Sequence, residues 1–183
     1  MKVEKLEDKT SIPEGVNLSY EGGIVKVTGP KGEVTKKMFY PGMKIEVTDG
    51  EVVISYEKAT KREKKMIFTY TAHIKNMFKG VTEGHKYELK ICSGHFPMNV
   101  AVSGDTLTVK NFIGEKVPRT LKLKNGVDVK VNGDIIIVEN INKELAAQTA
   151  ADIETITKRK GFDTRIFQDG IYIISKDGKS MGN

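Results

Sequence analysis

Cys92 and His95 stand at Cys-x2-His spacing, with His73 and His85 elsewhere in the chain, and zinc ligation is the chemistry such a set would do. The sequence holds a single cysteine, and the four residues fall on a helix, a strand and a loop, so no metal or other cofactor is expected. Cys92 reads instead as a small core hydrophobe and His73 as part of a helical stripe. Acid–base work needs carboxylates gathered in a pocket. Here they are spread singly through turns and strands, mostly beside a lysine. The stretch Gly29-Pro30-Lys31-Gly32 invites a phosphate-loop reading, but it lacks the Gly-Lys-Ser/Thr ending and a following helix, and a hairpin turn explains it better. An enzyme is not expected.

Cations offer the other chemistry. The run KRKGFDTRIFQDGIY, Lys158 to Tyr172, reads as a helix end, a basic loop and a last strand. Lys158, Arg159 and Lys160 fall in a final helical turn, where the exposed carbonyls favour them. Gly161 follows as a left-handed C-cap, and Asp169-Gly170 as a tight turn into the apolar run Ile171 to Ile174. Arg165, Phe162 and Phe167 complete an edge shaped to face phosphate. A second basic segment, KNFIGEKVPRTLKLK, places Lys110, Asn111, Lys116, Arg119, Lys122 and Lys124 on a strand–loop–strand path. Phe112 sits in its loop, and Pro118 stiffens the chain before Arg119. Together the two segments are expected to form one basic surface, with affinity from phosphate contacts and docking set by RNA shape. Arg119 and Arg165, in rigid Pro and Gly contexts, are the favoured phosphate contacts and are expected to be exposed and dispensable for folding. The plain alternative is a solvated lysine face.

The balance of charge agrees with this. The chain has 183 residues, and 30 Lys+Arg against 24 Asp+Glu leave a net charge of +6, so the excess must be arranged rather than abundant. One cysteine excludes an intrachain disulfide and fits a reducing compartment. No apolar run approaches a membrane span, and the first ten residues lack a signal-peptide core, so a soluble cytoplasmic protein is expected.

The elements that must position these residues repeat. Offset by roughly 82 residues, with one-residue slips, the two halves correspond. Asn17 falls on Asn99, Gly22 on Gly104, Val25 and Val27 on Leu107 and Val109, and Gly32-Glu33 on Gly114-Glu115. Asp49-Gly50 meets Asn132-Gly133, and Lys79-Gly80 meets Lys160-Gly161. In the first half, alternating segments predict strands at Asn17–Tyr20, Ile24–Thr28, Glu33–Phe39, Ile45–Thr48 and Glu51–Tyr56. A helix opens at Thr60, with Glu63 completing a capping box. Its apolar face is Met66, Tyr70, Met77 and Val81, flanked by Ile67, Ile74 and Phe78. The second helix is expected from Asn142 to Lys160 on a stripe of Leu145, Thr149, Ile153 and Ile156. A strand at Tyr87–Ser93 and a hinge at Gly94–Pro97 lead into the second half, and the first ten residues are expected to be loosely held. The fold class is therefore α+β, two tandem duplicated domains of antiparallel sheet on a single helix. Residues 1–84 form the first repeat and 85–183 the second, which is the main RNA-binding half.

Four motifs make the chain resemble the sixth large-subunit ribosomal protein family, in its archaeal and eukaryotic branch. They are NMFKGVTEG (Asn76–Gly84), HFPMNV (His95–Val100), NFIGEK (Asn111–Lys116) and Arg165-x-Phe167-x-Asp169-Gly170-Ile171-Tyr172. The resemblance implies a non-enzymatic structural protein of the large ribosomal subunit. It would bind large-subunit (23S-type) rRNA near the stalk base, the sarcin–ricin loop and the factor-binding region. Neighbouring stalk-base proteins and translation GTPases would lie nearby. It also implies rRNA contacts at Asn111–Arg119 and Arg165, and more loosely at the tail cations Lys176 and Lys179. The chain lacks the bacterial branch's Tyr-Lys-Gly-Lys-Gly tail motif, so that branch's C-terminal contacts are not implied. The rival reading is a duplicated DNA-binding protein of the TATA-binding kind, which inserts paired aromatics into the minor groove. Phe112 falls opposite Pro30 and Phe39 opposite Leu121, so that pairing fails.

Overall fold

The computed structural model describes residues 3–48, 50–163 and 165–181, and the chain divides into two compact units, Met1–Gly84 and His85–Asn183. In the first, six strands precede a helix: β1 (Val3–Ser11), β2 (Asn17–Glu21), β3 (Ile24–Gly29), β4 (Gly32–Lys37), β5 (Met43–Thr48), β6 (Glu51–Ala59) and α1 (Lys61–Thr82). They pair antiparallel in two small sheets, ordered β1-β6-β5 and β2-β3-β4. The second unit contains β7 (His85–Cys92), β8 (Asn99–Ser103), β9 (Thr106–Lys110), β10 (Arg119–Lys122), β11 (Asp128–Asn132) and β12 (Ile135–Asn140). Then come α2 (Lys143–Ile156), β13 (Gly170–Lys176) and β14 (Lys179–Ser180). Its sheets run β10-β9-β8 and β11-β12-β7-β13-β14. The order β11-β12-β7 reproduces β5-β6-β1, so β7 opens the second repeat as β1 opens the first. The fold is α+β, duplicated, with one long helix per unit.

Alternation builds the strands. Val25 and Val27 are fully buried while Ile24 and Lys26 face out, and Leu107 and Val109 do the same in the second unit. The helices cover these faces. Helix α1 starts at a capping box, in which the Thr60 hydroxyl accepts from the Arg62 amide (3.3 Å) and Glu63 accepts from the Thr60 amide (2.9 Å). These bonds, led by the one from the Thr60 hydroxyl, hold the Glu63 carboxyl down at about 2. The buried stripe of α1 is Ile67, Thr71, Ile74, Met77, Phe78, Gly80 and Val81, rotated from the expected face so that Met66 and Tyr70 lie at its margin. In α2 the buried residues are Ala146, Thr149, Ala150 and Ile153, because small side chains let the helix sit close on β7 and β13.

Two expectations fail here for clear reasons. The charged N-terminal stretch is a strand rather than a loose tail. Its residues pair with β6 from Lys5↔Glu57 to Ser11↔Glu51, and the Thr71 hydroxyl donates to Asp8 (2.7 Å). Ladder bonds are made by backbone, so a charged run with only Val3 and Leu6 as apolar markers conceals a strand. Helix α2 stops at Ile156, four residues before Lys160. There the Thr157 hydroxyl donates to the Glu154 carbonyl (3.1 Å) and accepts from the Ile171 amide (2.9 Å), tying the helix end to β13. Asp49, half of an expected hairpin signal, lies outside the described residues.

The β3–β4 turn docks on the end of α1. The Lys31 amide donates to the Val81 carbonyl (2.9 Å), and a Cβ on Gly29 would lie 2.7 Å from Val81 Cγ2 and 3.1 Å from its carbonyl oxygen. Gly29→Ala is therefore expected to cost about 1–3 kcal/mol, read as a lower urea midpoint for the full chain. An unchanged midpoint would mean that turn and helix end do not meet closely.

Candidate nucleic-acid interface

The loop between β9 and β10 is wound left-handed. Asn111 (φ 59°, ψ 30°), Ile113 (φ 46°, ψ 41°) and Gly114 (φ 74°) all have positive φ, a region that costs a β-branched residue steric energy. This path turns Phe112 inward until it is 1% exposed within the second unit's core. Phe112 is thus a core anchor, not a surface contact, because a benzyl group gains more from burial than from water. Its burial also removes the aromatic that a DNA-wedge reading would need.

Arg119 is the larger correction. Its guanidinium lies 4.4 Å from the Phe112 ring centroid and is bidentate on Glu115, at 2.7 and 2.6 Å. It also donates to the Ile156 carbonyl at 2.6 Å, at the last turn of α2. Each of its three nitrogens donates inside the protein, so Arg119 is a clamp between loop and helix rather than an exposed phosphate contact. The clamp holds the Glu115 carboxyl below the usual carboxylate range, the bond from Arg119 being the main cause.

The segment after α2 is pinned by a buried carboxylate. The Asp169 side chain is 4% exposed and accepts from the amides of Gly94 (2.7 Å) and His95 (2.9 Å) and from His95 Nδ1 (2.5 Å). Burial pushes its carboxyl up, but the bonds from the His95 amide and ring and the Gly94 amide outweigh this and hold it below its ordinary value. Asp169 is therefore a tie between the hinge and the last strand, not half of a tight turn. The His95 ring stacks on Phe167 (5.1 Å, 29°), Phe162 meets Phe167 edge-on (4.9 Å, 82°), and the Arg159 guanidinium lies 4.0 Å from the Phe162 centroid. The sequence offers His95 only as a zinc ligand, set aside, and Asp169 only as half of a turn, and their pairing is not apparent from either. Their signal was membership of two separate motifs.

A groove of about 490 Å³ joins the two basic segments. Ile113 and Phe112 line one side, Lys158, Arg159 and Lys160 another, and Phe162, Phe167 and Tyr172 the remainder. Lys110, at the end of β9, and Asn111 and Lys116, on the adjoining loop, are exposed, and Lys110, Lys116 and Lys160 make no ion pair among the described residues. Lys158 lies 3.8 Å from Glu154. Arg165 is 88% exposed and bonds to Asp163 (3.1 and 2.8 Å). Thr164, between them, lies outside the described residues. Lys176 and Lys179 pair with each other across the β13–β14 hairpin. The seven-residue β13 puts them about 20 Å from its groove end, so they do not join this surface. Of the further cations, Lys122 is exposed and Lys124 lies 3.5 Å from Asp152.

Two sheet-and-helix repeats, the second carrying a groove lined by cations and aromatics, define a duplicated α+β protein. The sequence places it: the profile of the family described as Ribosomal protein L6 matches residues 12–84 and 96–170, one stretch in each unit, and the chain belongs to that family. Its members are structural proteins, not enzymes. It is similar to "Large ribosomal subunit protein uL6" of Methanosarcina mazei, 48% identical over 95% of this chain and 99% of the relative. The protein of the same name from Methanococcus vannielii is 45% identical over 96% of this chain and 97% of its own length.

Two outcomes are expected at this site. Arg119→Ala should destabilise the chain by about 1–3 kcal/mol in urea unfolding, by stranding Glu115 and the Ile156 carbonyl. A loss within about half a kcal/mol would return Arg119 to the class of dispensable surface cations. Asp169, with its folded pKa depressed, adds stability that is fully present above its unfolded value near 3.9 and is lost as pH falls through the lower folded value. Asp169→Asn should flatten the acid limb of the stability–pH curve. An acid limb identical to that of the parent chain would show that Asp169 is not held by these bonds.

Proposed function

We propose that this protein is a structural constituent of the large ribosomal subunit in the cytoplasm, and that its second unit, residues 85–183, binds 23S-type rRNA. The first unit, residues 1–84, completes the duplicated scaffold. The docking region is the stalk base near the sarcin–ricin loop, beside neighbouring stalk-base proteins and the site visited by translation GTPases. Family membership supports the ribosomal role. The observation that carries the RNA reading is the groove that brings the strained 111–114 loop and the cations Lys158–Lys160 to one place. Lys110, Asn111, Lys116 and Arg165 add exposed polar groups in the same two segments, while Arg119 and Phe112 hold the loop from within. Lys176 and Lys179 contact RNA, if the same molecule reaches them, only as a separate patch.

The test is a salt titration of binding to a large-subunit rRNA fragment carrying the sarcin–ricin region, against an unrelated structured RNA and duplex DNA. Tighter binding to the rRNA fragment at moderate salt is expected. Lys160→Ala and Lys116→Ala should each lower the log–log salt slope by about one, as one phosphate contact is lost. Equal binding to all three nucleic acids, vanishing together with salt, would overturn the reading.

A further inference from the structure

Phosphate alone does not account for this groove. Its walls include Ile113, Phe162, Phe167 and Tyr172, and a sugar–phosphate backbone has no use for aromatic and aliphatic walls. We propose that the groove receives one unstacked base of the bound RNA, stacked against the Phe162–Phe167 pair, with its phosphate on Lys160. This rests on the reading above that the second unit faces rRNA, and it names what enters the site.

Four observations converge on that occupant. The volume of about 490 Å³ falls in the range of small-ligand pockets. The rim charge is positive and partly unspent, since Lys160 makes no ion pair among the described residues. The Arg159 guanidinium is already laid against the Phe162 ring, 4.0 Å from its centroid, and a planar cation beside an aromatic is a surface on which bases stack. The Tyr172 hydroxyl, in the same wall, makes no hydrogen bond among the described residues and is free to read a base edge. Duplex RNA cannot satisfy this arrangement. Its bases are stacked and its major groove is too narrow for side chains, so an aromatic cleft can meet only a bulged, looped or flipped nucleotide.

The walls are also held in advance. Asp169 fixes the hinge bearing His95, whose ring stacks on Phe167, and the left-handed backbone at Ile113 keeps the opposite wall in place. Strain of that kind persists where the surroundings impose it, and it is concentrated at binding sites. A preset cleft lowers the ordering cost of taking up a base.

The experiment uses the full chain and the large-subunit rRNA fragment carrying the sarcin–ricin region. Affinity is measured across a salt series for the parent, Phe162→Leu and Phe167→Leu, and the parent complex is irradiated at short wavelength and its cross-linked peptides are sequenced. Each Phe→Leu change should weaken binding by roughly 5- to 100-fold with the salt slope unchanged, because stacking releases no counterions. A nucleotide adduct should appear within residues 158–172. Phe167 also supports His95, so Phe162→Leu carries the test if the Phe167 variant does not fold. Parent-like affinity in a folded Phe162→Leu, or a loss accompanied by a shallower slope, would overturn the proposal while leaving specific rRNA binding standing. An adduct confined to other segments would do the same. Failure of the parent chain to prefer the rRNA fragment would instead remove the underlying reading.

Discussion

The guanidinium of Arg119 is where the second unit's local structures meet. One planar cation satisfies both oxygens of Glu115, caps the carbonyl of Ile156 and covers the ring of Phe112. Lysine could make one of these contacts but not all, because only a fork of fixed N–H directions faces three groups at once. Around this clamp the 111–114 loop keeps its left-handed path, α2 ends where it does, and the chain leaves the helix toward the basic segment. The cations that flank the groove owe their position to one that does not point outward.

The first unit solves the same problem differently. Where Arg119 reaches the end of α2, the turn between β3 and β4 reaches the end of α1 by backbone, through the Lys31 amide on the Val81 carbonyl, with the Lys31 ammonium on the Glu83 carbonyl beside it. The tight turn needs Gly29, because Val81 leaves no space for a Cβ. In the second unit the equivalent positions are Asn111 to Gly114, where the turn has become a 3-10 loop and Phe112 fills the core. A backbone contact has thus been replaced by a side-chain contact. The hairpin connection is longer in the second unit, and a groove lies beside it.

Much of this was legible in the sequence. The repeat register held because Val25, Val27, Leu107 and Val109 are fixed by the pleat of one hairpin, and Thr60 with Glu63 marked a helix start that the structure keeps. The misses share a cause. Strand β1 hides because its partner reads its backbone, not its lysines. A glycine after three cations looks like a C-cap and implies a helix running to Lys160, whereas tertiary bonds at Arg119 and Thr157 accompany an end at Ile156. Arg119 itself looks like any exposed arginine until Glu115, four residues before it, and Ile156, 37 residues after it, are brought together. Nothing local in the sequence distinguishes a cation spent inside from one left for a partner.

That distinction decides what the surface can do. An ion pair already formed must be broken before its cation serves a phosphate, so the bidentate pair of Arg165 with Asp163 weakens its claim relative to unpaired Lys116 and Lys160. Both members of the Arg165 pair are nonetheless exposed, Arg165 at 88% and Asp163 at 39%, and solvated pairs of that kind are worth little. An RNA phosphodiester, whose two non-bridging oxygens share one negative charge and accept hydrogen bonds, could therefore compete for Arg165 at small cost. It cannot compete for Arg119, whose partners would be left stranded in a partly buried site. On the function proposed above, the unpaired lysines would meet RNA first and Arg165 would follow by exchanging Asp163 for phosphate, while Arg119 keeps Glu115 and the Ile156 carbonyl.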